Sequence, residues 1–290
     1  MGKEKKVIWV ISGGGCRGAI AAKSLEKFGN ECGKPDLIIG TSVGSILGAW
    51  VSKNGGNVEG TKKIFKECAK QMFGKKDNIT PPIYDLKRAK ICLDKDGILG
   101  GRMGDLKIPL IISTVDFVRT QTLYRNSDGA SVDKKQKIVD FITPSFAAPV
   151  YFTHIDFPRE ELILSDGGVG NNNFPIMPAF IEAVKRGWGA EELEICAFGT
   201  GTKKLTPKEI TSRYNRLSKK KWLGAVANTI LFARKSAQEE QLNAGINLAE
   251  KLPNVKFKYY DADLNKEYDL DDWKSIDEMF ELPIFEEIYG

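Results

Sequence analysis

The chain is short of histidine, of paired cysteines and of long apolar runs. It has 290 residues and one histidine, His154. A histidine cluster for a metal, or a choice of imidazole bases, is thereby excluded. The five cysteines, Cys16, Cys32, Cys68, Cys92 and Cys196, are odd in number and widely spaced, with no C-x-x-C. That pattern argues against a disulfide framework and against zinc, and fits free thiols in a reducing, cytoplasmic compartment. No apolar stretch approaches the length of a spanning helix. Lys3, Lys5 and Lys6 before Val7–Ile11 imitate the basic end of a signal peptide, but that apolar run is too short and a glycine-rich loop follows at once. Internal repeats and low-complexity segments are lacking too. The formal charge of +5 is mild. It permits peripheral contact with an anionic membrane surface, and no basic run interleaves with aromatics as a nucleic-acid groove requires.

What is present is an alternation of short apolar runs with helical patterns. Strands are expected at Val7–Ile11, Leu37–Ile39, Leu110–Val115, Thr120–Tyr124, Leu162–Leu164, Leu193–Phe198 and Val255–Tyr260. Helices are expected at Gly18–Phe28, Ser45–Ser52, Val58–Met72, Lys134–Phe141, Ala179–Arg186, Lys208–Leu217, Trp222–Leu248 and Asp272–Met279. Uniformly apolar strands alternating with helices predict an α/β fold with a mostly parallel sheet covered on both faces. Such sheets place ligands beyond the C-terminal ends of strands. No composition shift marks a boundary, so residues 1–290 read as one domain, with the motifs in about 7–202 and a helical part over 203–290. The weakly periodic stretch Ile79–Gly104 reads as a surface excursion or lid.

Chemistry concentrates just past two strand ends. Gly40-Thr41-Ser42-Val43-Gly44 stands between Leu37-Ile38-Ile39 and a helical stretch, the strand–turn–helix setting of a G-x-S-x-G nucleophile elbow. Gly13-Gly14-Gly15-Cys16-Arg17-Gly18 follows the first strand and opens the first helix. Its backbone N–H groups can converge on an anion, as an oxyanion hole does. The same six residues satisfy the dinucleotide fingerprint G-x-G-x-x-G. The ribose-binding acid is missing, because Asp36 precedes the second strand and so lies at its wrong end. A Walker loop fails for want of Gly-Lys-Ser/Thr.

A serine nucleophile needs a base. Asp166 follows Leu162-Ile163-Leu164 and begins Asp166-Gly167-Gly168-Val169, where two glycines allow close approach to another turn. In a Ser–Asp dyad the carboxylate accepts the hydroxyl proton and later returns it to the leaving group. A triad through His154 stays formally open, although a wall or solvent-facing imidazole is the preferred account of it. A free carboxylate titrates at about 3.9, so such a base leans on burial and on the oxyanion hole. Esters and thioesters suit that chemistry better than amides.

Together these blocks resemble the patatin-like phospholipase family. The glycine loop, the elbow, Pro144-Ser145-Phe146-Ala147-Ala148-Pro149-Val150-Tyr151-Phe152 and Asp166-Gly167-Gly168-Val169 with its Asn-rich turn occur in the family's order, and Phe198-Gly199-Thr200-Gly201 is similar to a later family turn. The resemblance implies a three-layer α/β/α fold, Ser42 as nucleophile, Asp166 as proton acceptor and the N–H groups of Gly13, Gly14 and Gly15 as oxyanion hole. Gly18, Gly40, Gly44, Gly167 and Gly168 are its motif glycines. Arg17 takes the family's basic position, bracing the loop or attracting a lipid phosphate. A lipid acyl ester is the implied substrate, with neither metal nor cofactor. A thioesterase, an acyltransferase or a non-lipid esterase would use the same site. For membrane contact, Lys219-Lys220-Lys221-Trp222-Leu223 is one candidate and Ile79–Gly104 a second.

Overall fold

The computed structural model describes residues 5–130, 132–188, 192–203 and 222–290, with the backbone alone over 222–236. The expected helix Lys208–Leu217 and the Lys219–Leu223 segment fall outside the described side chains. Among the described residues, nine strands form one sheet: β1 (Lys5–Ile11), β2 (Leu37–Thr41), β3 (Leu110–Asp116), β4 (Gln121–Asn126), β5 (Ile155–Phe157), β6 (Leu162–Asp166), β7 (Glu192–Phe198), β8 (Val255–Asp261) and β9 (Phe285–Tyr289). Their order is β5-β6-β3-β2-β1-β7-β8-β9, and β4 pairs with β3. The five central strands β3, β2, β1, β7 and β8 run parallel, while β4, β5, β6 and β9 join antiparallel.

Helices cover both faces, because the parallel strands are apolar on both. One layer holds α1 (Gly18–Phe28), α2 (Val43–Lys53), α3 (Thr61–Phe73), α4 (Leu86–Leu93), α5 (Ile138–Phe146) and the short α8 (Ile276–Glu281), packed on Trp9, Ile11 and Ile38. The other holds α6 (Ile176–Lys185) and the end of α7 (Trp222–Lys251), packed on Ile8, Val10, Leu37 and Ile39. Alternate residues of β1 and β2 thus feed opposite cores, as a pleated strand requires. The result is a three-layer α/β/α fold, as expected. Among the described residues, no helix is long and apolar enough to cross a membrane.

Three regions depart from the sequence expectation. The Ile79–Gly104 stretch is not a loose excursion: Leu86, Ala89, Cys92 and Leu93 of α4, with Ile98 and Leu99, are buried in the main core. Asp85 caps α4 by accepting the Lys87 N–H. The part beyond 203 is not purely helical: besides the expected strand β8, β9 extends the sheet as an edge strand that was not expected. Helix α5 begins at Ile138 rather than Lys134 and continues past Pro144 to Phe146.

Candidate active site

The elbow is held in a conformation that serine would not choose. Ser42 has φ 55° and ψ −123°, at the apex between β2 and α2. Positive φ at a non-glycine residue stores strain and persists only where the surroundings impose it. Here they do. A Cβ at Gly40 would stand 2.3 Å from the Gly44 carbonyl oxygen, and one at Gly44 would stand 2.2 Å from that of Ile11. The turn therefore lies flush on the end of β1, where only glycine fits. Its backbone is pinned on both sides: the Ser42 N–H donates to Ser145 Oγ at 3.0 Å, and Ser45 Oγ donates to the Ser42 carbonyl at 2.6 Å.

Strand β3 brings the two candidate catalytic residues together. It is longer than β2. Along one edge β2 pairs in parallel up to Thr41 opposite Ser113, and from Thr114 onward β6 takes over that edge running the other way, with Asp166 opposite Thr114. The opposite edge belongs to β4. Thus β2 and β6 end head to head on one edge, and the residues at the two ends meet. Ser42 Oγ donates to Asp166 Oδ2 at 2.6 Å, while Asp166 Oδ1 accepts the Gly168 N–H at 2.6 Å. Each carboxylate oxygen thereby has a fixed direction. Both side chains are buried, Asp166 at 2% and Ser42 at 7% exposure. The chain leaves this junction across β3, where a Cβ at Gly167 would lie 2.2 Å from Ser113 Oγ.

The glycine loop faces the pair. Gly14 and Gly15 line the same cleft as Ser42 and Asp166. Gly13 does not, and its N–H is committed to the Asn173 carbonyl at 2.8 Å. Asn173 Nδ2 and Thr200 Oγ1 both donate to the Gly13 carbonyl, at 3.0 and 2.8 Å. Beyond the turn, the Cys16 N–H donates to the Leu270 carbonyl at 2.7 Å, and that oxygen sits 2.3 Å from where a Gly15 Cβ would be. Three segments far apart in sequence, around Asn173, Thr200 and Leu270, therefore shape the loop. Behind Thr200 lies Asp261, which accepts from Tyr259, Gly201, Thr202 and Ala262. Burial holds its carboxyl above the usual carboxylate range despite these donors.

The structure does not gather every residue the motifs suggested. Arg17 lines a separate cavity of about 510 Å³ with Ser12, Thr202, Lys203 and Gln238, away from the Ser42 cleft. His154 is half-exposed, and its Nε2 lies 3.2 Å from Asp156 Oδ1 rather than at Ser42. Asp36 accepts the Val7 N–H at the start of β2, the end remote from both turns. Ser145, Asn173 and Leu270 were not singled out from sequence. The Asn-rich turn after Asp166-Gly167-Gly168 was the visible signal for Asn173 and the Pro144–Phe152 block the signal for Ser145, while Leu270 acts through a carbonyl that no pattern marks.

Beside the pair opens an apolar cleft of about 870 Å³. One wall is a single stripe of α2, Val43, Ile46, Leu47 and Trp50, at helical spacing. The facing wall is α3, from Ile64 to Phe73, and Ile98 and Leu99 also line the cleft. Lys53 Nζ donates to the Gly100 carbonyl, which ties the 98–100 turn to the far end of α2. Cys68 faces this cleft, but its hydrogen bond to Cys92 and its burial push the thiol well above the ordinary range. A neutral thiol is no rival to Ser42. The cleft therefore offers a strained, nearly buried hydroxyl, an adjoining carboxylate, the Gly14–Gly15 turn and an apolar wall. That set can bind an apolar chain and attack a carbonyl at its end.

A family model described as Patatin-like phospholipase matches residues 9–180. A curated relative, a cGAMP-activated phospholipase from Pseudomonas aeruginosa (strain BWHPSA011 / Pa011), is 24% identical over 257 residues, covering 82% of this chain and 75% of the relative. The crystal structure of VipD from Legionella pneumophila aligns at 14% identity with a TM-score of 0.38, over 56% of this chain and 46% of that one. The chain thus spans less than half of that solved structure.

Proposed function

The chain belongs to the patatin-like phospholipase family, and from that membership we propose that it hydrolyses carboxylic esters of lipids through a Ser42–Asp166 dyad. The observation that carries the mechanism is the 2.6 Å contact from Ser42 Oγ to Asp166 Oδ2 beside an apolar cleft. The acyl chain lies along α2 with its carbonyl carbon at Ser42. As Oγ attacks, its proton passes to Asp166 Oδ2. The carbonyl oxygen becomes an oxyanion and receives the N–H groups of Gly14 and Gly15. Gly13 serves instead through its carbonyl, which Asn173 and Thr200 hold in place. Collapse releases the alcohol with the proton from Asp166 and leaves an acyl-enzyme on Ser42. Water, deprotonated by the same carboxylate, then frees the fatty acid. One oxyanion donor is worth about 3 kcal/mol in such sites, which offsets a weak base.

A thioesterase or acyltransferase differs only in the leaving group or in the second nucleophile, so the same residues would serve. The apolar lining favours a lipid chain over a small polar ester. Dinucleotide binding loses support, since no acid stands at the C-terminal end of β2. One continuous sheet from β1 to β9 supports a single domain, and five free buried cysteines favour a reducing compartment. Hydrolysis of phospholipids, neutral glycerides and acyl thioesters, followed by mass spectrometry of the products, tests the assignment. Ser42→Ala and Asp166→Asn are each expected to lower kcat on the order of a millionfold, as loss of the nucleophile or of the base does in other serine hydrolases. Full activity in either variant would remove the dyad.

A further inference from the structure

Three apolar loop tips converge on one surface beside the cleft, and nothing within the described residues covers them. The first is Ile79, 102% exposed and followed by Pro81 and Pro82. The second is Val150, 50% exposed with φ 74°. The third is the β3–β4 hairpin tip, with Phe117 and Val118 at 42% and 54%. A shallow depression of about 610 Å³ joins them, lined by Pro81, Pro82, Phe117, Val150, His154 and Phe152. Phe152 also lines the Ser42 cleft, so this buried ring is common to the walls of both spaces.

The tips are held out rather than left loose. The N–H groups of Asp77 and Asn78 both donate to the Ile83 carbonyl, and Asn78 Nδ2 donates to that of Pro82 at 2.8 Å. Arg88 clamps the base of this loop through Asp77 Oδ1 and the carbonyls of Met72 and Lys75. Ile83 and Tyr84 donate their N–H groups to the carbonyls of Val150 and Tyr151, which locks the loop to the second tip. Asp116 accepts the Val118 N–H at 3.0 Å and shapes the third. Val150 is the most telling residue. A β-branched side chain at positive φ is strained, and half of it faces water, so the chain gains little within the monomer for that strain. Strain of this kind is expected where a surface does something.

We propose that the Ile79, Phe117–Val118 and Val150 tips are the surface that docks on a phospholipid bilayer and admits lipid past Phe152. This rests on the lipid ester reading of the Ser42 site. A bilayer fits better than a protein partner for three reasons. The tips are separate and protruding, as in interfacial insertion, rather than a flat patch. The exposed Lys75 and Lys76 precede the first tip and suit headgroup phosphates. The depression is continuous with the wall of an apolar cleft that needs an acyl chain.

The test uses vesicles of phosphatidylcholine with phosphatidylglycerol and the full chain in a Ser42→Ala background, so that binding is separated from turnover. The variant is Ile79→Asp with Val150→Asn. Ile79 packs on nothing, and asparagine is at ease at positive φ, so neither change threatens the fold. Co-flotation is expected to weaken at least about tenfold, since two branched apolar side chains leave the interface. In the Ser42-bearing form, the same pair of changes is expected to leave hydrolysis of a soluble butanoate ester intact and to slow hydrolysis of vesicle lipid by a similar factor. Ile181→Asp with Val184→Asp, on the exposed side of α6 in the other layer, is the control and should float as wild type does. Unchanged flotation of the tip variant, equal loss in the α6 control, or no flotation of the parent would overturn the docking surface. Failure of Ser42-bearing protein to cleave even the soluble ester would instead sink the hydrolase reading.

Discussion

Two neighbouring regions, the turns around Ser42 and the cleft between α2 and α3, are built in opposite ways. The turns are fixed by backbone. Gly40 against Gly44, Gly44 against Ile11 and Gly167 against Ser113 leave no room for a methyl group, and hydrogen bonds from Ser45 and Gly168 and to Ser145 fill the rest. The cleft is fixed by side chains that line a space instead of filling it. Its walls are helices that part to leave room for a ligand, with Trp50 and Leu99 at one end and Tyr151 and Phe152 among its lining. The contrast separates two properties. Under the proposed mechanism, reactivity rests on atoms that cannot move, and substrate choice rests on side chains that can change size.

The comparison can be broken most severely at Gly167. Gly167→Ala drives a methyl into the Ser113 side chain and carbonyl, so a cost of roughly 3 kcal/mol or more is expected, with loss of most activity. Thermal unfolding and ester hydrolysis measure it, and a normal Tm with normal turnover would show that the junction is looser than the contacts imply. Next comes Ser145→Ala, which strips the acceptor from the buried Ser42 N–H. An unsatisfied buried donor costs about 1–3 kcal/mol. Here the loss should appear chiefly in kcat, with KM little changed, because in the proposed mechanism the turn aims the nucleophile and does not bind the chain. A fall confined to KM would place Ser145 in the cleft instead.

The smallest effect is expected in the cleft itself. Trp50 lies eight residues along α2 from Ser42, about 12 Å of helix rise. Trp50→Leu should lengthen the space at that end. Each further buried methylene is worth about 0.8 kcal/mol, roughly fourfold in rate or affinity. A series of esters from butanoate to palmitate should shift its optimum to longer chains, with the shortest ester unaffected. A uniform drop across the series would mean that Trp50 supports the fold and sets no length.

The same contrast explains what could be read from the sequence. The elbow, the glycine loop and Asp166-Gly167-Gly168 were legible because close backbone approach demands glycine, and glycine is visible. The β1, β2, β3 and β7 strands were legible because burial on both faces makes them uniformly apolar. Helix α4 was not, since its buried Leu86, Ala89, Cys92 and Leu93 alternate with Lys87, Arg88 and Lys90, and two of the four are small. Strand β9 escaped because it is a half-exposed edge carrying Glu286 and Glu287. Helix α5 was expected to end at Phe141, yet it continues past Pro144 to Phe146 and so delivers Ser145 to the Ser42 N–H. The narrowing of the proposed oxyanion donors to Gly14 and Gly15 also depended on a partner 160 residues away, the Asn173 that holds Gly13.

The most direct measurement is the site and rate of covalent labelling by a fluorophosphonate, followed by intact mass and peptide mapping. The account predicts one adduct on wild type, located on Ser42, none on Ser42→Ala, and much slower labelling of Asp166→Asn. Labelling of Ser42→Ala at the wild-type rate, or an Asp166→Asn protein that labels as fast as wild type, would contradict it.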